Sequence, residues 1–340
     1  MDRQGCLAVW LRWGLLVAAV ALAGPGGTGC GHSARGEIRG IVAEEGAPRA
    51  PERTQAGPRV ALIMKTLTNP FFVDMENGAR KAQAETPIDL QVKTATQETS
   101  IEQQIDLVEQ EIKAQAKAII IAPGDSTRLV PVLKKAQDAG IAIVNIDNQL
   151  SLEAMATAGM KPVPFISVDN EQGAYRAAKY VADQVQVPTE AGIIEGIRSA
   201  VNGQMRKAGA ERGFATNPKI RLVASETADW KIDEAYGVAR KLLKAHPGLG
   251  VLFCANDMMA IGAIKYLRES GHGQVLVAGF DALSEARAAV RAGQLAVTVN
   301  QQADRQGYLG VKTALKLLAG EPVPMNLRVD VRLVTRGTLK

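Results

Sequence analysis

Polar side chains able to form several hydrogen bonds recur in this 340-residue chain just after short apolar runs, often beside an aromatic ring. KTLTNPFF, residues 65–72, supplies Lys65, Asn69, Phe71 and Phe72 after VALIM. Asp147 and Asn148 follow IAIVNI, and Asn202, Gln204 and Arg206 lie beyond GIIEG. Asp229-Trp230, Asn256-Asp257, Phe280-Asp281 and Asn300-Gln301-Gln302 follow four more runs. Carboxylate, amide and guanidinium groups each bond two neighbouring hydroxyls, and an aromatic face covers a ring's C–H surface. That set suits a polyhydroxylated ring. Singly, each residue has a local explanation: Asn69-Pro70 as a turn, or Asp147, Asn256 and Asp281 as helix caps. Compatible chemistry at seven separate run ends favours one shared site.

Other chemistries lack their parts. No glycine-rich phosphate loop follows the first run. His32, His246 and His272 stand away from the run ends, so no catalytic base or metal ligand is expected, and no cofactor. Asp147 and Asp281 are in principle a carboxylate pair, the equipment of a glycosidase, and sugar binding accounts for them equally well. The excess of 40 Lys and Arg over 35 Asp and Glu is interspersed, which argues against nucleic acid. Cys254, in VLFCAN, reads as a small buried hydrophobe, and no disulfide framework is expected.

The elements that must position these residues alternate regularly from Arg59. Runs at 60–64, 88–92, 118–122, 141–146, 165–168, 192–196, 221–225, 251–255, 275–280 and 295–299 are apolar on both faces, as parallel strands under helices require. Between them, spacings such as Ile101, Ile105, Val108 and Ile112 predict helices, with Ser126 capping and Gly140 ending the one that runs to Ala139. Ten such strands exceed one compact domain. The expectation is an α/β protein of two doubly wound, Rossmann-like parallel-sheet lobes with a hinge and a ligand cleft. The first lobe is assigned to 59–167 and 301–327, the second to 168–300 and 328–340. Residues 148–164 read as irregular, and 327–335 as a single strand returning to the second lobe.

The first 58 residues are of another kind. Arg3 and Arg12 precede an apolar run from Leu15 to Ala23, too short to span a bilayer, then small residues and Cys30. This predicts a signal peptide over 1–29 and export. Cys30 after Gly-Thr-Gly resembles a bacterial lipoprotein processing site, although Gly27 stands where leucine is usual; the expectation is lipidation at Cys30. Residues 31–58, without apolar periodicity, read as a flexible tether of roughly 30 Å.

At NPFF (69–72), ANDMMAIGA (255–263), VAGFDA (277–282) and TVNQQADRQG (298–307), the chain closely resembles the ribose-binding branch of periplasmic sugar-binding proteins, over Arg59 to Thr335. The resemblance implies the type I periplasmic binding protein fold and no enzyme activity. It implies capture of a neutral monosaccharide, whether a ribose-like pentose, a hexose or a polyol, by a monomer that passes it to an ABC-type permease. It further implies contacts from Asn69, Phe71, Phe72, Asp147, Trp230, Asn256, Phe280, Asp281 and Gln301, with Phe71 and Phe72 facing Trp230 across the ring. Asn148 replaces an arginine of the ribose-binding pattern and Lys65 a small hydroxyl residue, which puts ribose itself in doubt. Gln204 and Arg206 both compete for the family's helix arginine. Lys65 and Arg206 balance Asp147 and Asp281, which favours a neutral ligand. A chemotaxis or sensor-kinase receptor is an alternative reader of the same site. A regulator with the same core would need a helix-turn-helix headpiece where the leader and tether stand.

Overall fold

The computed structural model describes residues 57–339, so the expected signal peptide, Cys30 and nearly all of the expected tether lie outside the described residues. The first lobe runs β1 (Arg59–Met64), α1 (Pro70–Ala84), β2 (Asp89–Thr94), α2 (Ile101–Lys113), β3 (Ala118–Ile121), α3 (Val130–Asp138), β4 (Ala142–Ile146), α4 (Leu152–Thr157) and β5 (Phe165–Val168). The second runs α5 (Asn170–Ala182), β6 (Thr189–Glu195), α6 (Val201–Phe214), β7 (Ile220–Thr227), α7 (Ile232–Ala245), β8 (Leu249–Cys254), α8 (Asp257–Glu269), β9 (Leu276–Ala278), α9 (Ser284–Ala292) and β10 (Val297–Asn300). The chain then returns to the first lobe with α10 (Ala303–Leu318) and β11 (Asn326–Val329), and ends in the second with β12 (Arg332–Thr335).

The two sheets repeat one plan. Their orders are β11-β5-β4-β3-β1-β2 and β12-β10-β9-β8-β6-β7, parallel throughout except for the β10–β12 pair. In each, the order reverses beside the lobe's first strand, and ligands of such sheets bind beyond the carboxyl ends at that switch. The uniform apolarity of the strands follows from cover on both faces. Val60, Leu62 and Met64 of β1 join the layer with α1 and α10, while Ala61 and Ile63 join the layer with α2 and α3. α10 fits against α1 because Gly307 lets the backbones meet; a Cβ there would lie 2.0 Å from Met75 O.

Three segments cross between lobes: β5 to α5, β10 to α10, and β11 to β12. The stretch read as one strand at 327–335 is two short strands, because Asp330 and Val331 make the third crossing. β11 therefore keeps Arg328 and Val329 in the first lobe's sheet, past the boundary assigned at 327. The crossings are strapped together. Gln302 Nε2 donates to Asp330 O at 2.6 Å, Arg328 pairs with Asp169 at 2.7 Å, and Arg176 Nη1 donates to Val331 O at 3.3 Å.

Two further readings are corrected. The irregular segment 148–164 contains α4, capped by Ser151. Ser126 does not cap α3; Asp125 turns the chain there by accepting from Thr127 N and Arg128 N, both at 2.8 Å, and the Ser126 hydroxyl is used elsewhere. Gly140 ends that helix with φ of 81°. No described helix is long and apolar enough to cross a membrane.

Candidate functional site

Both sheets point their carboxyl ends at one small cavity between the lobes. The first lobe lines it with Lys65 after β1, Asn69, Phe71 and Phe72 at the start of α1, Glu98 after β2 and Asp147 after β4. The second supplies Asn202 and Arg206 on α6, Trp230 after β7, Asn256 after β8 and Asp281 after β9, and Gln301 stands at the second crossing.

Several of these side chains serve the fold and the cavity together. Asn69 Oδ1 accepts from Phe71 N at 3.0 Å and so caps α1, while its Nδ2 donates to Glu98 Oε1 at 2.9 Å. Asn256 caps α8 by accepting from Met259 N at 2.9 Å. Asp147 and Asp281 are not caps. Asp147, Trp230 and Asp281 hold φ values of 63°, 67° and 129°, a left-handed backbone that costs on the order of 1–3 kcal/mol each in a residue with a Cβ. Such strain persists where surrounding bonds impose it. Asp281 N donates to Val299 O at 2.8 Å. The next residues are held by the buried Asp257 carboxylate, which accepts from Leu283 N at 2.9 Å and from Thr298 Oγ1 at 2.7 Å. Burial pushes the Asp257 carboxyl up to about 6 despite those donors.

Phe71 and Phe72 meet edge to face, with ring centroids 5.1 Å apart. Trp230, the sole tryptophan among the described residues, packs against Gly196, where a Cβ would come within 2.0 Å of the indole. Arg206 is held from several sides. Its Nε donates to Asn170 Oδ1 at 2.9 Å and its Nη1 to Ala255 O at 2.8 Å; Nη1 also lies 3.8 Å from Asp281 Oδ1. Its guanidinium stacks 4.0 Å from the centre of the Phe280 ring. Burial lowers the Arg206 pKa, opposed first by the charge of Asp281. Burial likewise raises the Asp281 pKa well above the carboxylate range, with Arg206 the main opposing charge. Across the cavity Lys65 Nζ lies 3.0 Å from Asp147 Oδ2 and 3.7 Å from Glu98 Oε2. Enclosure raises the Glu98 pKa too, against the pull of Lys65.

Of the residues singled out in the sequence, Lys65, Asn69, Phe71, Phe72, Asp147, Arg206, Trp230, Asn256, Asp281 and Gln301 are brought together; Asn148, Gln204 and Phe280 do not line the cavity. Gln204 turns outward and donates to Arg198 O at 2.8 Å, which leaves Arg206 as the helix arginine. Phe280 is the fully buried platform beneath Arg206. Asn148 is also fully buried, bonded to Pro123 O and Ser126. Asn202, noted beyond GIIEG but not among the contacts the resemblance implies, also lines the cavity, and Glu98 is the addition. Glu98 thus adds a third acidic side chain to Asp147 and Asp281, beside the cations Lys65 and Arg206.

Three polar atoms of cavity-lining residues are buried without a partner, Asn202 Oδ1, Trp230 Nε1 and Gln301 Oε1, while Asp147 Oδ2 has only its ion pair with Lys65. Buried polar atoms are normally paired, so two free acceptors and one free donor on residues around one small cavity mark a place for a ligand rich in hydroxyls. Among the described residues no group of three or more His, Cys, Asp or Glu is placed to hold a metal ion.

Comparison with known proteins agrees. The periplasmic binding protein domain profile matches residues 60–322. A D-ribose/D-allose-binding protein of Pseudomonas aeruginosa is 40% identical over 79% of this chain and 84% of its own. The D-allose-binding periplasmic protein of Escherichia coli is 32% identical over 82% of this chain and 91% of its own. A solved ABC transporter periplasmic solute binding protein from Actinobacillus succinogenes, with bound D-allose, superposes with a TM-score of 0.78 at 37% identity, covering 82% of this chain and 98% of that one.

Proposed function

Because the chain belongs to the periplasmic binding protein family, in its ribose-binding branch, we propose that it captures a neutral monosaccharide of the ribose or allose type and delivers it to an ABC importer. The family's members are solute-binding proteins, and membership implies export to the periplasm. The observation that carries the ligand reading is the cavity itself. Three aromatic rings from two lobes stand beside planar charged groups, with unpaired polar atoms left over. A sugar's C–H faces fit between Phe71, Phe72 and Trp230, and its hydroxyls donate to Asp147, Asn202, Asp281 and Gln301 and accept from Lys65, Arg206 and Asn256. A wrong stereocentre leaves one of these groups buried and unpaired, the strongest form of discrimination available to binding alone. Burying a further negative charge beside Asp147, Asp281 and Glu98 disfavours sugar acids and sugar phosphates.

A thermal-shift panel of pentoses, hexoses, inositols, sugar acids and sugar phosphates tests this. A ligand at a thousand times its Kd stabilises by about 4 kcal/mol, and D-allose or D-ribose is expected to do so. A sugar acid that out-competes every neutral sugar overturns the reading. For Cys30 we propose lipidation and membrane anchoring; labelled palmitate that fails to enter the protein removes the anchor and leaves the binding reading intact.

A further inference from the structure

α6 lacks a side-chain cap of its own. Ala200 occupies its N-cap position and offers no acceptor, so the amides of its first turn need partners from elsewhere. The opposite lobe provides them. Val201 N donates to Ser126 Oγ at 3.1 Å, and Asn202 N donates to Asn148 Oδ1 at 3.1 Å. Ser126 N donates back to Ser199 O at 3.3 Å. Both acceptors are fixed within the first lobe: Asn148 Nδ2 donates to Pro123 O at 3.0 Å and to Ser126 Oγ at 3.2 Å. This helix end also carries a polar side chain aimed at the cavity. Asn202 is 3% exposed, its Nδ2 lies 3.5 Å from Asp147 Oδ1, and its Oδ1 has no partner.

We propose that Asn202 is a further specificity-determining ligand contact, and that its helix end, capped in trans by Ser126 and Asn148, latches the lobes together. The Asn202 contact rests on the sugar-binding reading; the latch stands on lobe-to-lobe geometry alone. Opening the cleft breaks the cross-lobe bonds together and returns the amides of α6 to water. Closure restores them and brings Asn202 Oδ1 onto the ligand, where a sugar hydroxyl donates to it. A sugar lacking a hydroxyl there closes the cleft over an unpaired acceptor and is disfavoured. The arginine of the ribose-binding pattern is thereby exchanged for Asn148, a residue that grips the other lobe and leaves the sugar untouched.

The test pairs Ser126→Ala and Asn148→Ala with Asn202→Ala in stopped-flow and equilibrium binding of D-allose and D-ribose. Each latch variant is expected to release both sugars about five- to tenfold faster, by the same factor, as loss of a cross-lobe hydrogen bond implies. Asn202→Ala is expected to change the ranking of the two sugars. An unchanged release rate in Ser126→Ala, the variant that disturbs the fold least, overturns the latch; equal losses for both sugars in Asn202→Ala overturn the specificity role. If the unaltered protein binds neither sugar, the ligand reading fails separately. The latch is then read from hydrogen exchange at Val201 in the chain closed by whichever ligand of the thermal-shift panel stabilises it: protection that Ser126→Ala removes supports it, and protection that the variant leaves unchanged contradicts it.

Discussion

The two lobes share a topology but build their halves of the site differently. In the first lobe the charged groups are tied chiefly to each other: Lys65, on a flexible stem, lies between Asp147 and Glu98, and Asn69 holds Glu98. In the second, Arg206 is tied to the framework, to Asn170, to the carbonyl of Ala255 and to the face of Phe280. A planar fork locked by its own lobe presents donors in one orientation, whereas a lysine between two carboxylates can redistribute its bonds. The second lobe therefore fixes how a sugar sits, and the first adjusts to which sugar it is.

The largest expected effect is at Arg206. Arg206→Lys keeps the charge but loses the fork, the stack on Phe280 and the pairing with Asp281. Affinity for every sugar should fall by on the order of 3–5 kcal/mol in calorimetry, since a buried pair loses its geometry. Asp147→Asn, in the adjustable half, should cost about 1.5–3 kcal/mol and shift the ranking among sugars. Equal losses without a change of ranking would erase the contrast between the halves. Glu98→Gln keeps an acceptor for Asn69 and removes the third carboxylate. It should change neutral-sugar affinity by less than about 1 kcal/mol while improving the binding of sugar acids in competition assays. On stability, not affinity, the expected effect is on pH dependence, at Asp257. Its folded value, about 6, lies above the ordinary 3.8, so its contribution to stability is present in full below the ordinary value and lost as pH rises through the folded one. Melting temperatures of Asp257→Asn should vary less than those of the unaltered protein across that window.

Much of this was legible in the sequence because parallel strands covered on both faces are apolar throughout and the site residues follow their ends. What was missed or left open needed directions in space. Asn202 and Arg206 are four residues apart and share a face of α6, while Gln204, two residues from each, turns the other way. Phe280 and Asp281 are neighbours in sequence, but one lies beneath Arg206 and the other lines the cavity. Glu98 stands in the polar loop TQETS after β2, with no aromatic or apolar neighbour to mark it; only the placing of β2 beside β1 brings it to Lys65. Asn148 and Ser126 read as a ligand contact and a helix cap, because a bond to the opposite lobe leaves no local pattern.

Trp230 reports on the central claim directly, since it lines the cavity and is the sole tryptophan beyond Trp10 and Trp13 near the start of the sequence. Its fluorescence is the measurement to make, during titration of the exported protein with D-allose and D-ribose. A saturable, one-site change for at least one of them, lost in Arg206→Lys, is the predicted result. No change with any neutral monosaccharide, or saturation only by a sugar acid or phosphate, would contradict the account.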